Sequence, residues 1–157
     1  LATSTLATNG YTYTPHLLKS YKNNKTKEIF NYNSNENKFI TAIKDISYLD
    51  IVKRAMWRVV NEKNVGTASN LKKVQDIEFA GKTGTAQVYN LDSGKSDKKN
   101  LQDHALFISY APYISPEIVV TVIVEHGGGG SSTAAPIARD IIDFYMKSKN
   151  KKIASNE

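Results

Sequence analysis

Two neighbouring stretches, HALFISYA at 104–111 and EIVVTVIVE at 117–125, constrain the fold more than anything else in the chain. Both are short, apolar and rich in β-branched or aromatic residues, a composition that suits strands better than helices. Pro112 ends the first, and the 113–116 connection is short enough for an antiparallel hairpin. The second is so nearly continuous in Val and Ile that it predicts burial on both faces. A further strand is expected over 78–88, just upstream.

Helical patterns flank these strands. ATSTLATN at 2–9 reads as the end of a helix stopped by Gly10 in a C-cap role. Tyr11 to Tyr21, with Pro15 inside it, fits a short strand or an extended segment. Residues 22–38 are dominated by Asn, Lys and Ser and read as a mobile hairpin or a long, variable surface loop. Ser47, with Asp50 at the third position, predicts a capped helix. Leu49, Val52, Met56, Val59 and Val60 share one face of it, over roughly four turns. Trp57 is read as a packing residue, and Gly66-Thr67-Ala68 as a turn.

After Gly127 to Gly130, a Ser/Thr cluster is expected to cap a last helix, with Pro136 in its first turn. Ile137, Ile141, Ile142, Phe144 and Tyr145 give that helix a broad apolar face. From Lys147 the chain reads as a polar tail, disordered at its end (147–157). The expected class is α+β, an antiparallel sheet covered by helices.

Composition narrows the function classes. The chain has 157 residues, enough for one domain with a core, and its 40% hydrophobic and 23% charged fractions are ordinary for a globular domain. No run of about 18 apolar residues is present to cross a membrane. The opening at Leu1, inside sequence that reads as structured, suggests a fragment or excised domain. Cysteine is absent, which removes disulfides and thiolate chemistry. His16, His104 and His126 lack close metal-ligand spacing, so no metal site and no cofactor are expected from this chain alone. The net charge of +6 is nearly all lysine, clustered with Asn at 22–25, 95–100 and 147–152. Solvated surface explains those clusters better than a nucleic-acid interface, which favours Arg with interleaved aromatics.

Two glycine-bearing motifs invite phosphate-binding readings, and both fail. Gly81-Lys82-Thr83 could end a P-loop, but that loop needs a glycine where Asp76 stands and a helix where strand formers follow. Gly127 to Gly130 breaks the dinucleotide pattern at Ser132. It reads better as a permissive turn that folds the last helix back over the sheet.

Lys82-Thr83-Gly84-Thr85 carries a different chemistry. A lysine ammonium and a threonine hydroxyl on one strand can hold a substrate carboxylate. The glycine leaves room for another backbone to lie close. The Thr85 amide can then serve as an oxyanion donor. Alone, four such residues are also compatible with a solvated turn.

Their context points further. ATSTLATNGYTYTPHLL, VVNEKNVGTA, AGKTGTAQV and DHALFISYAPYISPEIVVTVIVEHGGGGSSTAAPIARDIIDFYM follow one another in order. Over residues 2–146 the chain thus resembles the C-terminal part of the transpeptidase domain of class B penicillin-binding proteins, most closely the penicillin-binding protein 2 type that serves cell elongation. The resemblance implies a partial penicillin-binding/β-lactamase-like fold and a serine enzyme that cross-links peptidoglycan stem peptides and is acylated by β-lactams. It implies substrate binding by Lys82, Thr83, Gly84 and Thr85, with the Thr85 amide facing the oxyanion. It also implies an inner-membrane parent facing the periplasm, beside a glycan polymerase and elongation scaffold proteins.

The family's Ser-x-x-Lys and Ser-x-Asn motifs are expected upstream. Ser69-Lys72, Ser96-Lys99 and Ser148-Lys151 match the first only in spelling, as Ser148-Asn150 and Tyr21-Asn23 match the second. The nucleophile is therefore expected outside this chain, and the isolated segment is expected to be inactive. With sheet strands contributed from upstream in the family, the segment is expected to self-associate or to need that missing half. A penicillin-sensing domain, a β-lactamase and a D,D-carboxypeptidase are the alternative readings.

Overall fold

Strand β6 (His104–Ala111) is the middle of the main sheet, and its alternating side chains build both cores. The structure is a computed structural model that describes residues 1–32, 38–41, 43–71, 74, 77–88 and 102–154, the side chains of 152–154 excepted. In chain order the elements are α1 (Ala2–Ala7), β1 (Tyr11–Tyr13), β2 (Ser20–Lys22), β3 (Ile29–Asn31), β4 (Lys38–Ile40) and α2 (Ser47–Asn61). Then come β5 (Ala80–Ala86), β6, β7 (Ile118–Val124), a π-helical turn (Gly130–Ala134) and α3 (Ala135–Ala154). The main sheet is antiparallel, in the order β5-β6-β7.

Ala105, Phe107, Ser109 and Ala111 point to one face of β6, and Leu106, Ile108 and Tyr110 to the other. On the first face Phe107 is fully buried, paired in register with Val122 and Thr83. Ala134 of the π-helical turn and Ala135, Ala138, Ile142 and Met146 of α3 cover it, and the small residues let the helix approach closely. On the second face Tyr110 and Ala80 pack with Ala7 of α1 and Met56 of α2.

The expected order of helix, variable loop, helix, three strands and helix is observed, with differences of physical interest. The 22–38 stretch carries strands: β2 pairs with β3 as a hairpin, and β4 pairs with β1. β7 is buried on one face only; Val120 and Val122 are inside, whereas Ile123 is 63% exposed. Its β-branched run reflects strand propensity without the two-sided cover inferred from it. Of the face expected on α3 only Ile142 is buried, beside Ala135, Ala138 and Met146; Phe144 is 73% exposed, and Ile137, Ile141 and Tyr145 are also outside. α3 continues to Ala154, past the expected start of a tail at Lys147. Lys147 pairs with Asp143 one turn back, and Lys149 reaches Glu117 at the foot of β7. The basic stretch 95–100 lies outside the described residues.

The end of α1 is as expected, whereas the starts of α2 and α3 differ. Asn9 (φ 56°) and Gly10 (φ 94°) end α1 in left-handed geometry, as the glycine suggested. At α2, however, Ser47 is already helical and does not cap; the Asp45 carboxylate accepts its N–H at 2.9 Å. At α3 the hydroxyls donate backwards, Ser132 to Gly129 O and Thr133 to Gly127 O.

The Ser47 amide, and then its hydroxyl, hold the Asp45 carboxyl below its ordinary value of 3.8. A carboxyl depressed in the folded state stabilises at pH above its unfolded value, and that contribution is lost as pH falls through the folded one. In an acid titration the midpoint for loss of the Ser47 amide's exchange protection should therefore lie below pH 3.8. Asp45→Ala should remove the protection at every pH. Equal protection in the variant would count against the cap.

Candidate functional site

Lys82, Thr83, Gly84 and Thr85 are consecutive on β5, an edge strand among the described residues. Their partners on β6 are Ile108, Phe107, Leu106 and Ala105. The strand's other edge has no strand partner among the described residues, so it can be approached from the side. Lys82 and Thr85 are exposed, and Thr83 and Gly84 are half-buried.

Alternation puts Thr83 and Thr85 on the α3-covered face and Lys82 on the opposite one. The two groups expected to bind one carboxylate therefore leave the strand in opposite directions. Only a ligand alongside the edge can meet both. The Lys82 ammonium already bends that way, donating to the Thr83 carbonyl at 2.6 Å.

α2 holds this strand from the flank. Asn61 Nδ2 donates to Phe79 O at 2.9 Å and to Trp57 O at 2.8 Å, while Trp57 Nε1 donates to Glu78 Oε2 at 2.9 Å. Trp57 is thus a packing residue with its polar end satisfied, as expected. On the other flank the π-helical turn presses on the motif. A Cβ on Gly130 would lie 2.5 Å from Gly84 O. A backbone does lie close to the motif glycine, and it belongs to this chain.

The sequence reading missed Thr67. Its hydroxyl lies 3.0 Å from that of Thr83, across 16 positions that no local spacing joins. Thr67 also borders a cleft of about 340 Å³ with Asn70, Ser131 and Ser132. A larger cleft, about 740 Å³, lies against α2 around Ile51, Arg54 and Arg58 and includes none of the motif residues.

The serines that match a nucleophile motif in spelling are not gathered here. Ser148 sits on α3, donating to Phe144 O, and Ser69 lies in the turn after α2. Lys72 and the Ser96-Lys99 pair fall outside the described residues. Tyr110 is buried beneath the site, with no partner for its hydroxyl among the described residues. Burial, and then the nearby Tyr113, push its phenol far up, so it stays protonated. No group of three or more acidic, His or Cys side chains suited to a metal exists among the described residues. His104 and His126 do meet: the His126 N–H donates to His104 Nδ1 at 3.0 Å, pinning the turn after β7.

Lys-Thr-Gly-Thr thus stands on an edge strand backed by a helix-covered antiparallel sheet. The profile of the penicillin binding protein transpeptidase domain matches residues 2–143, and the chain belongs to that family. It is 38% identical to the peptidoglycan D,D-transpeptidase MrdA of Haemophilus influenzae, over 94% of this chain and 23% of that protein. Its fold is similar to Pseudomonas aeruginosa PBP2 in complex with WCK 5153, with a TM-score of 0.68 and 32% identity over 91% of this chain and 28% of that one. It is also similar to PBP2 in the complex with MreC from Helicobacter pylori, with a TM-score of 0.62 and 29% identity over 92% and 23% of the two chains. The chain thus spans about a quarter of the length of these relatives.

Proposed function

We propose that residues 1–157 are the C-terminal portion of the transpeptidase domain of a peptidoglycan D,D-transpeptidase, and that β5 is one wall of its active site. The observation that carries this reading is the edge position of Lys82-Thr83-Gly84-Thr85 in a chain of this family. A stem peptide ending in D-alanine, or a β-lactam, lies alongside the edge. The Lys82 ammonium and Thr83 hydroxyl take its carboxylate from the two faces of the strand. A serine from the rest of the protein attacks the penultimate D-alanine carbonyl, and the Thr85 N–H donates to the oxygen that becomes negative. The carbonyl–nitrogen bond then breaks, terminal D-alanine leaves with a proton, and an amine of a neighbouring strand takes the acyl group.

The parent protein is inner-membrane anchored, with this domain in the periplasm. A glycan polymerase and elongation scaffold proteins are its partners, and the Helicobacter pylori complex with MreC supports the second. Among the described residues no helix is long and apolar enough to cross a membrane.

Labelled penicillin and mass spectrometry test the assignment. The longer protein should carry one adduct, on a serine upstream of Leu1, and residues 1–157 alone should carry none. A specific adduct on a serine of this chain, or no adduct on the longer protein, would overturn it.

A further inference from the structure

We infer that Thr67 is a positioning residue of the carboxylate-binding wall, setting the direction in which Thr83 donates its proton. The inference rests on the transpeptidase reading and adds to it a residue outside the motif. The two hydroxyl oxygens are 3.0 Å apart, and either could donate. A carboxylate only accepts, so Thr83 must spend its single proton on the ligand. Thr67 must then be the donor within the pair. That bond occupies a lone pair of Thr83 and restricts rotation of its hydroxyl, so that the hydrogen stays turned toward the ligand. It also polarises the Thr83 hydroxyl, as successive hydrogen bonds in a chain do.

Thr67 is placed for this role by backbone on both sides. The Gly66 N–H donates to Glu62 O at 2.9 Å and the Ala68 N–H to Val59 O at 2.9 Å, wrapping the turn onto the end of α2. A Cβ at position 66 would lie 2.3 Å from Val59 O and 2.4 Å from Arg58 O, so only glycine fits. Ala68 is 3% exposed and anchored in the main core. The Thr67 side chain itself is exposed, so its hydroxyl is not needed to fill the core.

The test uses the longer, serine-bearing protein with benzylpenicillin and its methyl ester, and compares Thr67→Val, Thr67→Ser, Thr83→Val and the Val/Val double variant. Thr67→Val is expected to raise the Kd of the initial penicillin complex about fivefold, the scale of one neutral hydrogen bond of about 1 kcal/mol. It should leave the acylation step, the ester's Kd and the Tm unchanged. Thr67→Ser should bind as the parent does. In the Thr83→Val background, Thr67→Val should add nothing, because the two act as one unit. A parental Kd for Thr67→Val while Thr83→Val is impaired overturns this inference alone. So does an equal loss for acid and ester, or a loss that persists without the Thr83 hydroxyl. No effect from Thr83→Val or Lys82→Ala would instead overturn the carboxylate-wall reading itself.

Discussion

Gly130→Ala is expected to lower the stability of the chain by about 2–3 kcal/mol, the upper range for forcing one extra methyl into packed structure. The added Cβ would sit 2.5 Å from both Gly84 O and Leu106 O, and 3.0 Å from Gly84 N. These are backbone atoms of two strands held in register, β5 and β6, and they cannot swing aside as a side chain could. The π-helical turn must lift instead. It would take with it the start of α3, whose alanines seal the core over Phe107. Gly129→Ala is the matched control, since its Cβ would meet the Ser132 hydroxyl at 2.9 Å, which can rotate away. Urea midpoints should separate the two variants clearly. Equal midpoints would mean that the contact at Gly130 relaxes without cost.

Lys82→Ala in the longer protein is expected to slow penicillin acylation about 100-fold, with little change in Tm. A hydrogen bond to a charged partner is worth about 1.5–3 kcal/mol, and about 1.4 kcal/mol corresponds to tenfold. Lys82 is exposed, and its described hydrogen bond is to the neighbouring Thr83 carbonyl, so folding does not depend on it. Lys147→Ala, on the far helix, should leave the rate unchanged. The second-order acylation rate is the measurement to make. A Lys82→Ala protein that acylates at the parental rate would remove the lysine from carboxylate recognition.

How far the sequence carried varied with the kind of interaction. Strands 104–111 and 117–125 were legible because Pro112 and the apolar runs are local signals, and their limits matched β6 and β7 to within a residue. Burial was less legible. Val119 and Ile123 look the same in sequence as Val120 and Val122, yet only the second pair meets α3. α3 was half legible for a similar reason: of its large residues Ile142 is buried as its pattern suggested, while Ala135, Ala138 and Met146 supply the rest of the face in place of Ile137, Ile141, Phe144 and Tyr145. Asp45 displaced Ser47 as the cap because a capping side chain must precede the first helical residue, and the helix starts one residue earlier than supposed. At the site, the four motif residues could be read from their order. Their division between two faces follows from strand alternation and could also have been derived. The Thr67–Thr83 contact could not, because it depends on how a turn folds against a strand 16 residues away.

Trp57, the chain's single tryptophan, has a practical consequence. Its indole N–H is bonded to Glu78, two residues ahead of β5, and its ring lies 6.2 Å from that of Tyr113. Its fluorescence therefore reports on the joint between α2 and the motif strand rather than on the molecule as a whole. In residues 1–157 emission colour and quenching would register a shift of β5 against α2, with no label attached and no second indole within this chain.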